Sequence, residues 1–185
     1  ELRDLEGARW VGINLQNNLN EGTEGRRITL DSLTLRYMPR YFIRLQIVRR
    51  LTLSNVLLEY GGRGLSFDTG GTFGARLFNM YDSTITNLTA RHFCSAGAGD
   101  LTGDDGTSET VRACDNCDAP WNDPHATAWG PPCEALDVKQ SQNVNVSGLD
   151  VTDVAGGVRI DAAHDIVLEQ SRITNTKNGV TVNQL

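Results

Sequence analysis

The stretch GVRIDAAHDIVLEQSRITNTKNGVTV (157–182) places apolar residues at alternate positions and interrupts them every few residues with a short polar corner. Alternation sends successive side chains to opposite faces of an extended strand, so each run has one apolar face. Strands this short cannot form a core alone. They must stack on neighbours, and the spacing along the chain says which.

Five triplets align: ITL (28–30), LTL (51–53), STI (83–85), VNV (144–146) and IVL (166–168). A second set follows each across a two-residue gap: Leu33/Leu35, Val56/Leu58, Leu88/Ala90, Leu149/Val151 and Ser171/Ile173. A third set, Leu65/Phe67, Val158/Ile160 and Val180/Val182, starts seven residues after the second ends. From the third set to the next first set the step is six residues, as in Leu45 to Leu51, Val138 to Val144 and Ile160 to Ile166. The repeat is 22 residues from Val144 to Ile166 and 23 from Ile28 to Leu51, with steps of 32 and 61 where insertions intervene. Fixed offsets with insertions confined to corners are the product of a stacked solenoid. Independent sandwich strands would share the alternation but have no reason to keep the spacing.

The corners agree. The two-residue gaps are Asp31-Ser32, Ser54-Asn55, Thr86-Asn87, Ser147-Gly148 and Glu169-Gln170, with Asn or Gly second in three of the five. A bend this tight needs a residue tolerant of positive φ. TKNGV (176–180) and AGGV (155–158) supply the same tolerance before the third strand.

Over about residues 26–185 this pattern resembles the right-handed parallel β-helix of the pectin-lyase-like superfamily, with its PbH1-type repeats. The expected fold is therefore all-β, a three-sheet solenoid of about five coils. Residues 1–25 form a partial coil (RWVGINLQ, 9–16) and a loop, and insertions fall at 68–74 and 92–133. The resemblance implies a stacked Asn ladder at the two-residue corner, with Asn55 over Asn87 facing inward. It assigns Leu51–Leu53 to the second sheet, Val56–Leu58 to the third and Leu65–Phe67 to the first. The superfold hosts lyases, hydrolases, epimerases, adhesins and phage fibres, so function has to come from the site.

Hydrophobic residues make up 39% and charged residues 22%, a globular balance, and 19 glycines against 5 prolines suit many tight corners. A formal net charge of −6 argues against nucleic acid or an anionic membrane as the main partner. No apolar run reaches the roughly 20 residues that a membrane helix needs. ELRDLEGARW shows neither an initiator Met nor a signal-peptide pattern, so a processed or excised chain is expected. Val180 and Val182 are still in strand register near the end. Further coils, domains or subunits are expected to cover an open C-terminal end.

In the resembled enzymes a substrate groove follows the outer face of the first sheet. Outward positions here are Arg44, Ser66 or Arg76 (depending on the threading of 68–74), Asp137, Arg159 and Thr181. Asp137 is expected beside Arg159, with Asp161 and His164 at the next corner. An acid beside an arginine can activate a hydroxyl or stabilise an oxyanion on a uronic-acid substrate, which makes Asp137, Arg159 and Asp161 catalytic candidates. A cross-strand ion pair uses the same residues without chemistry. The family's signatures are missing: there is no GHG, no NTD followed by DD, and RYMPRYFIR (36–44) lacks the Arg-x-Pro-x-x-Arg spacing. The expectation is thus a structural or binding module, a rigid rod with loop-mediated contacts. A lyase, hydrolase or epimerase acting on acidic polysaccharide is the alternative. No cofactor or metal is required. The outward column of the second sheet, Thr29, Thr52, Thr84, Asn145 and Val167, holds too few threonines for a lattice-recognising array.

All four cysteines, Cys94, Cys114, Cys117 and Cys133, lie in the long insertion. Two disulfides stapling that loop are the expected reading, with connectivity open. CDNC (114–117) with His92 and His125 is the zinc alternative. The acidic GDLTGDDGTSE (99–109) lacks EF-hand spacing, and APWNDPHATAWGPP (119–132) is a contact surface or a packed loop. Sequons at Asn145 and, less favourably placed, Asn87 point to an extracellular or cell-surface glycoprotein.

Overall fold

A computed structural model describes residues 5–6, 11–16, 27–36, 38, 41–61, 72–93, 133–154, 156–176 and 178–183. Among them the chain is all-β, without a helix, and every strand pairing is parallel. The strands are β1 (Leu5–Glu6), β2 (Val11–Gln16), β3 (Ile28–Arg36), β4 (Tyr41–Arg49), β5 (Leu51–Gly61) and β6 (Thr72–Phe93). After the long insertion come β7 (Cys133–Lys139), β8 (Gln142–Ser147), β9 (Asp150–Val154), β10 (Gly156–Asp161), β11 (His164–Glu169), β12 (Arg172–Thr174) and β13 (Asn178–Asn183).

Three tracks of pairing run through the stack. In the first, β2 pairs β4, then the start of β6, then β7, β10 and β13, so Leu15, Leu45, Leu77, Val138, Ile160 and Val182 share one column. In the second, Leu30, Leu53, Ile85, Val146 and Leu168 share a column through β3, β5, β6, β8 and β11. In the third, Leu5, Leu35, Leu58, Ala90, Val151 and Ile173 do the same. From β3 and β4 onward the steps between partners are the 22, 23, 32 and 61 residues of the sequence repeat, and the step from β1 and β2 to their partners is 30. The inner columns form the core: Leu45, Leu53, Leu58, Leu77, Ile85, Ala90, Val138 and Val151 are wholly buried. Each such side chain withdraws apolar surface worth roughly 1.5–3 kcal/mol from water.

Corners repeat as faithfully as strands. Every described residue with φ between 46° and 65° falls in one of four columns: Ser32/Asn55/Asn87/Gly148/Gln170, Tyr60/His92/Asp153/Asn175, Ile47/Asn79/Gln140/Ala162 and Arg50/Asp82/Asn143/Asp165. The left-handed region is costly for L-residues, and the short polar side chains of Asn and Asp bear it best by bonding locally. Eight of the sixteen non-glycine residues in these columns are Asn or Asp. Stacking then lets the corner side chains bond to one another. Asn87 donates its amide to Asn55 Oδ1 at 3.0 Å, and Asn55 donates to Asp31 Oδ1 at 2.9 Å. In the second column His92 stacks on Tyr60 with centroids 5.2 Å apart, and its Nδ1 lies 3.3 Å from Asp153 Oδ2.

The structure corrects four details of the sequence reading. The first-track positions of the third level are Ala75 and Leu77, not Leu65 and Phe67, which lie outside the described residues. Both pairs alternate correctly, but only Leu77 stands six residues before Ser83. Thr72–Gly74, expected in the 68–74 insertion, belong to β6, and His92, Phe93 and Cys133 belong to strands rather than to the 92–133 loop. Asn87 is exposed rather than facing inward, because the ladder runs along the outside of the corner. Ser171 is exposed too, its hydroxyl turned back to the Glu169 carbonyl at 2.9 Å.

Candidate functional site on the outer face of the first track

Because the register of the first track is continuous, its outward residues form two neighbouring columns. One is Asn14, Arg44, Arg76, Asp137, Arg159, Thr181; the other is Gln16, Gln46, Phe78, Lys139, Asp161, Asn183. Successive members sit one strand spacing apart, about 4.8 Å. The open choice between Ser66 and Arg76 is thus resolved for Arg76, and Ser66 lies outside the described residues.

Asp137 and Arg159 are register partners, as expected, but their closest ionic contacts go elsewhere. Asp137 is fully buried, with Oδ2 at 3.2 Å from Arg76 Nε and Oδ1 at 3.9 Å from Lys139 Nζ. Arg159 reaches along its own strand to Asp161 Oδ2 at 2.9 Å, and its Nη1 lies 3.7 Å from Glu134 Oε1. Lys139 also approaches Asp161 Oδ2 at 2.8 Å, and Asn183 donates to Asp161 Oδ1 at 2.5 Å. A long arginine side chain favours the acid two residues away on the same face over the buried one beside it. His164 takes no part. It is exposed and lies 3.2 Å from Asp165 Oδ2.

These surroundings set the protonation of the acids. Burial raises Asp137 against the pull of Lys139, Arg76 and Arg159. Burial pushes Glu134 up to about 7, and the neighbouring charge of Asp137 adds to it. Burial alone would raise Asp161 as well, but hydrogen bonds from Lys139, Asn183 and Arg159 bring it down to about 2.

Toward the first levels the face turns cationic and aromatic. Tyr41 and Phe73 stack with centroids 5.4 Å apart and planes at 9°. The Arg76 guanidinium lies 4.5 Å from the Phe73 ring and Arg44 lies 5.5 Å from Tyr41. Among the described residues Arg44 makes no ion pair. Two depressions follow the face, one of about 410 Å³ beside Lys139, Arg159 and Asp161, the other of about 210 Å³ beside Arg44, Gln46 and Arg76. Phe78 lines both.

Phe78 and Lys139 were missed in the sequence although a signal existed: each stands two residues beyond Arg76 or Asp137 and so shares its face. Glu134 had no such signal, since it stands two residues before Leu136 and so shares the inward parity rather than the outer face.

Elsewhere, Cys133 is buried and disulfide-bonded, which removes it from the zinc alternative. Cys94, Cys114, Cys117, His125 and the acidic run 99–109 lie outside the described residues. Asn145 is exposed on β8, in the outward column with Thr29, Thr52, Thr84 and Val167. No helix among the described residues is long and apolar enough to cross a membrane. Compared with known proteins, the chain matches no family model, no curated protein and no solved structure.

Proposed function

We propose that the parallel stack is a right-handed β-helix of about five coils, resembling the pectin-lyase-like superfamily, and that it is a binding module of a secreted or cell-surface glycoprotein. Right-handedness is supported by the near-universal hand of parallel crossovers. The rod is rigid because each level is paired above and below, and its first-track face holds a groove suited to an acidic polysaccharide. One observation carries this reading: the arginines of the face are partly exposed while Asp137 between them is sunk. Arg76 and Arg159 are 28% and 31% exposed, and Asp137 is 0% exposed. A net-acidic protein that buries Asp137 and presents the guanidiniums of the same column is arranged to receive anions, with Phe78 as an apolar platform for a sugar ring.

The same observation weighs against the enzymatic alternative, in which Asp137, Arg159 and Asp161 would act on the polysaccharide. A buried Asp137 engaged by Arg76 and Lys139 cannot touch a substrate in the groove, and Asp161 is held ionised by its three donors. The disulfide at Cys133 and the exposed Asn145 sequon support an extracellular or cell-surface setting. Val180 and Val182, members of inner columns, are 49% and 56% exposed.

The test is calorimetric titration with a galacturonic-acid oligomer and a neutral glucose oligomer of equal length. The acidic oligomer should bind, and Arg44→Ala or Arg159→Ala should weaken it about tenfold, the worth of one charged hydrogen bond. Equal binding of the neutral oligomer, or unchanged affinity in both variants, would remove the groove from consideration. New unsaturated or reducing ends on incubation would establish the enzymatic reading instead.

A further inference from the structure

Glu134 opens β7 beside the disulfide-bonded Cys133, and its side chain is 12% exposed. It lies over Gly156, where a Cβ would meet Glu134 Cγ at 3.2 Å and the Cys133 carbonyl oxygen at 3.0 Å. A side chain at 156 would therefore displace Glu134 from its place. Glu134 Oε1 faces Arg159 at 3.7 Å, but Oε2 is buried without a hydrogen-bond partner, and Asp137 beside it is held by ion pairs to Arg76 and Lys139 rather than by hydrogen bonds. An orphaned, buried carboxylate oxygen beside the buried charge of Asp137 makes the ionised state of Glu134 costly, and a proton relieves part of that cost.

Among the described residues, the charged groups around Glu134 come from three strands: Asp137 and Lys139 on β7, Arg159 and Asp161 on β10, and Arg76 on β6. The described part of β13 contributes only Asn178, Thr181 and Asn183 beside them, none of them charged. With every group ionised, the three cations and three acids cancel. A proton on Glu134 leaves one positive charge over and releases Arg159 from one of its two acids, leaving Asp161 alone to hold it.

We infer that Glu134 is a proton-operated control on the groove: the protonated side chain turns a balanced charge cluster into an anion-binding one through Arg159. The inference rests on the groove reading above and adds the condition under which the groove is filled. Burial places the transition near neutrality, at about 7. The acids of a galacturonic-acid oligomer remain ionised throughout, so the ligand does not titrate in that range. Glu134 is a positioning residue here, acting through Arg159 rather than on the ligand.

Two measurements test it. Carboxyl NMR on the ligand-free protein should give Glu134 a midpoint near 7; a midpoint near 4.5, its ordinary value, overturns the inference whatever the groove does. Calorimetric titration with the galacturonic-acid oligomer should give about tenfold tighter binding at pH 5.5 than at pH 8.5, the effect of one unit of coupling between neighbouring charges. Glu134→Gln, which imitates the protonated form, should bind tightly at both pH values. His164→Gln should keep the wild-type profile, which excludes that histidine as its source. Equal wild-type affinity at both pH values, or a pH profile that survives in Glu134→Gln, overturns the inference and leaves the groove standing. No binding at either pH defeats the groove reading, and the control with it.

Discussion

At the scale of single residues, the fold depends on positions where the backbone enters the left-handed region. Gly148 has φ +65°, and a Cβ there would lie 2.7 Å from Asn87 Oδ1. Gly148→Ala should therefore cost about 1–2 kcal/mol, read as a lowered urea midpoint with an unchanged slope; an unchanged midpoint would mean the corner is not tightly stacked. The two perturbed acids act on stability in separate pH windows. Folded Glu134 binds its proton more tightly than the unfolded chain, so its contribution is complete below about 4.5 and is lost as pH rises through about 7. Folded Asp161 binds its proton less tightly, so its contribution is present above 3.8 and is lost as pH falls through about 2. Stability read from denaturation midpoints should fall between pH 5 and 8 by an amount on the order of 1–3 kcal/mol, and Glu134→Gln should flatten that slope. Of these positions Gly148 was legible in the sequence as a corner glycine. Ser32 and Gln170, at equivalent φ, were legible only through the spacing. Glu134 was not legible, because its burial is created by residues from neighbouring levels.

At the scale of elements, spacing proved a better guide than composition. Leu65–Phe67 and Ala75–Leu77 read equally well as strands, and the six-residue step to Ser83 distinguishes them. That step is constant because it bridges the first and second tracks through two left-handed residues, such as Asn79 and Asp82, with fixed strands on either side. Buried hydroxyls bind the same connection: Ser141 Oγ accepts from Met80 N at 3.1 Å, and Ser83 Oγ accepts from Leu51 N at 3.3 Å. One glycine inserted after Asn79 should thus break the register on one side and lower stability by several kcal/mol, on the order of a lost core residue. The same glycine inserted between 94 and 132 should change stability by a few tenths of a kcal/mol, as loop lengthening costs little. Comparable thermal midpoints for the two insertions would contradict a repeat whose insertions are confined to the long steps.

At the scale of the molecule, parallel columns convert a one-dimensional repeat into faces of distinct character. The inner columns are apolar and were readable from alternation alone. The outer face of the first track gathers Arg44, Arg76 and Arg159 although they are far apart in the chain, and only register brings them together. The ionic partners within that face were not readable, because side-chain reach, not strand pairing, decides that Arg159 turns to Asp161 and Arg76 to Asp137. The measurement that tests the groove most directly is backbone amide NMR of the protein titrated with a galacturonic-acid oligomer at pH 5.5. Shifts concentrated on Arg44, Gln46, Phe78, Lys139 and Arg159, five residues from four strands aligned by register, are the expected result. Shifts confined to the second-track column of Thr29, Thr52 and Thr84, or none at all, would contradict it.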